Sequence, residues 1–209
     1  MNSAWACVSM LGALPADVLW RLERVSLSPS RLQEVSLTIP RGVTAVLGWS
    51  GAGKTSLLNL LAQFEQPDAG RIIGTPTIAW VPHSGGLWPH CTVREHLRIA
   101  CPSGTGIEAT LAAFDLAEKA QARPHELSQG EQARLAVARA LVAGAEVLIM
   151  DEPLAHVDPA RIGDYWRAIR EALAISGATL VFSTHDPDIA VGEAAEAICL
   201  AAGRVIHAG

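Results

Sequence analysis

The 209-residue sequence predicts an α/β fold: a mainly parallel core sheet with an N-terminal antiparallel β part and a helical insert. Three observations carry that expectation. Short apolar, β-rich runs at 43–47, 145–150 and 178–183 alternate with helical patterns at 55–63, 129–142 and 159–176. A glycine-rich loop joins the first of these runs directly to the first helix, and a long helical stretch from 93 to about 122 interrupts the alternation. The composition agrees. Half of the residues are apolar and only 18% are charged, which excludes a disordered chain and a Lys/Glu-rich coiled coil.

The chain opens with a run at 18–27 whose alternation is imperfect, Leu19, Arg21 and Glu23 falling on one side and Trp20, Leu22 and Arg24 on the other; it is expected to be an early, partly exposed strand. A second strand-like run, 32–39, passes through Pro40-Arg41-Gly42 into the buried strand 43–47. The helix at 55–63 takes its apolar face from Leu57, Leu58, Leu60 and Leu61. Residues 72–81 are expected to be further strand, punctuated by Gly74, Pro76 and Pro82. Ser128 is placed to cap the helix 129–142. The run 145–150 is continuously apolar and ends in two carboxylates, as a strand buried on both faces would. Helix 159–176, strand 178–183, helix 186–194 and strand 197–200 complete the pattern. Residues 1–17 are expected to be an N-terminal extension, with Met10 an alternative start, and 18–209 a single domain carrying a helical subdomain at about 84–142. With so few residues after the last expected strand, no C-terminal regulatory domain is expected.

The charge balance, sixteen basic against twenty-one acidic residues, leaves a formal −5 and no Lys/Arg run to track a phosphate backbone, so no nucleic acid partner is expected. The four cysteines, Cys7, Cys91, Cys101 and Cys199, show no CxxC spacing and fit a reducing compartment. No stretch offers the ~18 apolar residues of a membrane span, and the apolar segment 4–14 lacks the basic flank of a signal peptide.

Gly48-Trp49-Ser50-Gly51-Ala52-Gly53-Lys54-Thr55 satisfies GxxxxGK[ST] directly after a buried strand and before a helix, the context a phosphate loop requires. The chain therefore reads as a P-loop NTPase. Glycines let backbone N–H groups converge on phosphate oxygens, and the helix N-terminus adds its dipole. Lys54 is expected to reach the β- and γ-phosphates and Thr55 to offer its hydroxyl to Mg²⁺. Gly48, Ser50, Gly51, Ala52, Gly53 and Ser56 complete the expected phosphate contacts. Asp151 and Glu152 stand at the carboxyl end of a buried strand, where ligands of α/β sheets bind. An acidic pair after a strand is by itself a solvated loop; with a phosphate loop upstream, Asp151 becomes the expected partner of Mg²⁺. Glu152 becomes the group that orients and polarises a water for in-line attack.

Leu127-Ser128-Gln129-Gly130-Glu131, leading into a helix, resembles the LSGGQ signature of the ATP-binding cassette (ABC) ATPases, departing from it at Gln129 and Glu131. The resemblance covers nearly all of 18–209: phosphate loop at 48–55, signature at 127–131, carboxylate strand at 147–152, then Ala155-His156-Val157-Asp158 and Ser183-Thr184-His185-Asp186, all in family order. It implies the ABC ATPase architecture, with ATP and Mg²⁺ as cofactors and two cassettes arranged head to tail. Lys54 and Thr55 of one cassette would face Ser128 and Gly130 of the other. Asp158 would lie in the loop that crosses the dimer interface, and His185 would be the switch histidine at the γ-phosphate.

The sequence departs from the family at two more places. After the first strand the family carries an aromatic that stacks on adenine, whereas Leu27-Ser28-Pro29-Ser30-Arg31 has none. Arg31 as a flat cation, Trp20 from the strand, or a weaker hold on the base would each fit, and the weaker hold is the expectation. At Val81-Pro82-His83, His83 takes the place of the glutamine that senses Mg²⁺ and the γ-phosphate, which makes it a candidate for both. The segment from Gly86 to Glu95 resembles the surface that importer-type cassettes present to a permease. His83, His90, Cys91 and His96 match no standard zinc spacing.

The resemblance thus implies the ATP-binding and ATP-hydrolysing subunit of an ABC transporter, cytoplasmic and peripheral on the inner face of the membrane. Its partners would be a separate transmembrane permease and a second cassette, identical or not. Two alternatives compete: a non-transport ABC-type ATPase, for which the chain lacks coiled coils, tandem cassettes and basic surfaces, and a small-molecule P-loop kinase, which has no use for a signature helix.

Overall fold

The computed structural model describes residues 14–209; the alternative start at Met10, Cys7 and most of the expected extension lie outside the described residues. Two sheets organise the chain. Strands β1 (Val18–Leu27), β2 (Leu32–Pro40) and β4 (Ala69–Ile73) form an antiparallel sheet in the order β2-β1-β4. Strands β3 (Val43–Leu47), β5 (Ile78–Val81), β6 (Val147–Asp151), β7 (Thr179–Thr184), β8 (Glu196–Ala201) and β9 (Arg204–Ala208) form the second, in the order β5-β6-β7-β3-β8-β9. All neighbours in that sheet are parallel except β9, which returns antiparallel along β8.

The continuous apolar runs follow from burial on both faces of this sheet. Along β6, Val147 and Ile149 enter the core shared with the antiparallel sheet and with helix α1 (Lys54–Leu61), while Leu148 and Met150 enter the core beneath the helices. The same alternation holds in β7, where Val181 faces the first core and Leu180 and Phe182 the second. Helices α2 (Val93–Ala100), α3 (Ile107–Ala113) and α4 (Gln129–Leu141) fall between β5 and β6. Helices α5 (Pro159–Ser176) and α6 (Pro187–Glu193) follow β6 and β7.

The structure corrects the sequence reading in three places. Residues 72–81 are two strands in different sheets: β4 pairs with β1 and β5 with β6. Gly74 makes the break, its φ of 123° lying where side chains rarely go and a Cβ there falling 2.1 Å from the Leu19 carbonyl oxygen. In β1, which is partly exposed as expected, a register shift between Val18 and Trp20 lets Leu19 enter the core beside Trp20 and Leu22 rather than share the side of Arg21 and Glu23. Strand β9 lies beyond the expected pattern, which ends with the strand at 197–200. Ala202 and Gly203, both at positive φ, form the tight turn that folds it back on β8.

Candidate nucleotide site

Strand order places the expected chemistry at one edge. Because β7 lies between β6 and β3, Leu47 is level with Thr184 and Asp151 with Ser183, so the loops that follow these three parallel strands emerge side by side. Close backbone contacts then fix the phosphate loop. A Cβ on Gly53 would meet the Arg31 carbonyl oxygen at 2.6 Å, and one on Gly48 the Leu200 carbonyl oxygen at 2.6 Å. Gly203 of the β8–β9 turn donates its N–H to the Ala52 oxygen at 3.0 Å, so the unforeseen hairpin buttresses the loop.

Lys54 Nζ, almost fully buried, donates to the carbonyl oxygens of Gly48 at 2.7 Å and Trp49 at 3.4 Å and stands 3.3 Å from Glu152 Oε1. The other oxygen of Glu152 lies 3.4 Å from His185 Nδ1. Thr55 Oγ1 donates to Asp151 Oδ2 at 2.7 Å, and Ser183 Oγ donates to Asp151 Oδ1 at 2.5 Å. Ser183 also accepts the N–H of Glu152 at 2.9 Å. It thus ties the two carboxylate residues together and holds Glu152 in a left-handed conformation, φ 50°. The sequence reading placed Ser183 in a motif without giving it a task. Its position at the carboxyl end of a fully buried strand was the available signal.

A cavity of about 730 Å³ is lined by the phosphate loop from Trp49 to Thr55 with Ser56, and by Asp151, Glu152, His185, His83 and Arg31; Gly48 does not line it, its carbonyl oxygen instead accepting from Lys54. The oxygen pair from Thr55 and Asp151 at its wall suits a hard cation such as Mg²⁺. Trp49 lines it too, an aromatic with 82% of its surface exposed. Trp20 is fully buried in the core behind the antiparallel sheet, which removes it as a platform for a base. Arg31 sits at the rim, held by Glu65 at 2.7 Å and by the Ser28 carbonyl at 3.0 Å.

Ser128, Gly130 and Asp158 are not in that cavity; they line a second one with His156, Arg161 and Tyr165. Ser128 caps α4, its Oγ accepting the N–H of Glu131 at 3.2 Å while Glu131 Oε2 accepts the N–H of Ser128 at 2.8 Å. Glu131, a departure from the signature pattern, therefore completes a capping box. The Ser128 backbone hydrogen bond holds its carboxyl below the ordinary glutamate range. Gly130 packs so closely on the following loop that a Cβ would meet the His156 carbonyl oxygen at 2.8 Å. Asp158 caps α5 through Ala160 N–H at 2.9 Å.

A phosphate loop at the switch of a parallel sheet, with a lysine and two carboxylates converging on it, defines a nucleotide-binding α/β protein. The family model described as "ABC transporter" matches residues 32–155, and the chain belongs to that family, among its ATP-binding domains. It is 34% identical over 200 residues to the Fe(3+) ions import ATP-binding protein FbpC of Pseudomonas fluorescens, the match covering 85% of this chain and 56% of that protein. It is also 34% identical to the molybdenum import ATP-binding protein ModC of Methylococcus capsulatus, over 84% of this chain and 55% of that one. The chain thus spans little more than half the length of these curated relatives. Among solved structures, an ATP binding subunit of an ABC transporter superposes with a TM-score of 0.81 at 24% identity, covering 91% of this chain and 89% of the other. The structure of cbiO1 from Clostridium perfringens, part of the ABC transporter complex cbiONQ, gives 0.79 at 26% identity over 92% and 88%.

Proposed function

We propose that the chain binds Mg²⁺-ATP and hydrolyses it as the energising subunit of an ABC transporter. The observation that carries this is the junction in which Lys54 and His185 both contact Glu152 beside the Thr55–Asp151 pair. Lys54 and the loop N–H groups would hold the phosphates, with Ser50, Gly51, Ala52 and Ser56 completing the cradle. Thr55 and Asp151, with His83 lining the same cavity, would hold the cation, which when bound neutralises phosphate charge. Glu152 would orient and polarise the attacking water, and His185, at its second oxygen, would steady that carboxylate and face the γ-phosphate.

Ser128 and Gly130 line a different cavity from Lys54, so a complete site requires the signature face of a second cassette, with Asp158 at the seam. The second cassette is read as a second copy of this chain or a different cassette. The working unit spans 18–209, with 84–142 as the helical part facing the permease. Among the described residues no helix is long and apolar enough to cross a membrane, and the chain is read as a peripheral subunit on the inner face. The import relatives favour transport over a non-transport ATPase or a kinase.

The test is a pair of variants. Lys54→Ala should abolish nucleotide binding or turnover, whereas Glu152→Gln should bind ATP normally, fail to hydrolyse it and accumulate as a dimer in gel filtration. Unchanged steady-state ATPase in Glu152→Gln would overturn the assignment.

A further inference from the structure

The loop between β5 and α2 carries His83 at the nucleotide cavity and, five residues on, Trp88 in a stack outside that cavity. The Trp88 ring lies 5.1 Å from the imidazole of His96 at an interplanar angle of 16°. Arg139, from α4, places its guanidinium 4.7 Å from the centre of the Trp88 ring. It also donates to the carbonyl oxygens of Gly86 at 2.8 Å and Gly85 at 3.2 Å. His96 is fully buried, and both of its nitrogens are committed. Nε2 accepts the N–H of Trp88 at 2.8 Å, and Nδ1–H donates to the Thr92 carbonyl at 2.8 Å. Only the neutral ring with its proton on Nδ1 makes both bonds, because imidazolium has no lone pair for the Trp88 amide.

The consequence is mechanical. α4 begins at Ser128 and Gly130, so Arg139, Trp88 and His96 link the helix bearing the signature to the loop bearing His83. We propose that His96 is a positioning residue for hydrolysis: by stacking on Trp88 and accepting its amide proton, it locks the 83–88 loop to α4, so that the His83 wall of the nucleotide cavity is held in register with the signature helix. This rests on the ATPase reading above. Burial holds His96 below the ordinary histidine range; the Thr92 carbonyl opposes that, Arg139 from α4 adds to it, and Glu95 on its own helix opposes it. Released, the ring takes up a proton near pH ~6.5, which the clamp refuses; the clamp is therefore complete above that pH and weakens as the pH falls through the lowered value.

The experiment follows Trp88 amide exchange, corrected for intrinsic rate, together with ATP affinity and kcat, in the native chain and two variants. His96→Phe keeps a flat ring without an acceptor, and Trp88 protection should fall about tenfold, with kcat down about fivefold and ATP affinity within about twofold of native. His96→Gln can still accept the amide proton but cannot titrate. It should retain protection and kcat, and keep protection level from pH 7.5 to 5 while that of the native chain declines. Equal Trp88 protection in native and His96→Phe, or parallel acid profiles in native and His96→Gln, would overturn the proposal. Should His96→Phe not fold, the native and His96→Gln profiles decide it alone. A native chain that binds no ATP would instead refute the functional reading, leaving the Trp88 measurement to report on the clamp.

Discussion

Ser183→Ala removes one oxygen with two partners, and the structure allows its cost to be worked out. The hydroxyl is fully buried; it donates to Asp151 Oδ1 at 2.5 Å and accepts from Glu152 N–H at 2.9 Å. A hydrogen bond to a charged acceptor contributes about 1.5–3 kcal/mol, and a donor left unsatisfied by the change costs about 1–3 kcal/mol. Glu152 lies just beyond the fully buried strand β6 and is half-buried, so the lower half of the second range applies, and the sum is about 3 kcal/mol. For a chain of this size that lowers Tm by about 6–12 °C, measurable by calorimetry or thermal circular dichroism. The catalytic effect should separate from binding. Without Ser183 to fix its backbone, Glu152 drifts from the water it would orient, so kcat should fall about tenfold or more, whereas the phosphate loop and Lys54 keep ATP affinity near native. A Tm within about 1 °C of native, or a loss confined to ATP affinity, would refute the reasoning.

Four further outcomes are expected. Ser128→Ala should destabilise the chain by about 1 kcal/mol through loss of the α4 cap, seen as a lower urea midpoint. Since the Glu131 carboxyl is held below its ordinary value in the folded chain, its contribution is present above about pH 4.3 and lost on acidification below it. Glu131→Gln should flatten that limb of the stability–pH curve. Gly74→Ala must place a methyl against the Leu19 carbonyl at positive φ and should cost about 2 kcal/mol or more, read by urea unfolding. With Trp20 buried, no aromatic follows β1 at the cavity rim, so GTP should compete well with ATP in equilibrium binding. A strong preference for ATP would assign the base contact to Arg31 or Trp49.

The chemistry of phosphate binding was legible along the chain because it is local: a strand, a glycine loop, a lysine and a hydroxyl at fixed spacing suffice. The helix cap at Ser128 is legible for the same reason, being closed within a few residues. Amphipathic period and terminal residues likewise set α4 and α5 close to their expected bounds, 129–142 and 159–176. What the sequence could not decide was which distant backbone each strand would meet. Residues 72–81 read as strand punctuated by Gly74 and Pro76 because each half has β character; only pairing with β1 on one side and β6 on the other assigns the halves to different sheets. Leu19 alternates with Arg21 and Glu23, and only the β1 register shift places it in the core beside Trp20 and Leu22. Ser183 gained its role only when β7 paired beside β6, and His96, one of several scattered histidines, only when α2 brought it beneath Trp88 and Arg139. Short-range chemistry is written in spacing, whereas partners far apart in the chain are chosen by register and packing, whose energies exist only once the sheets and helices have closed on one another.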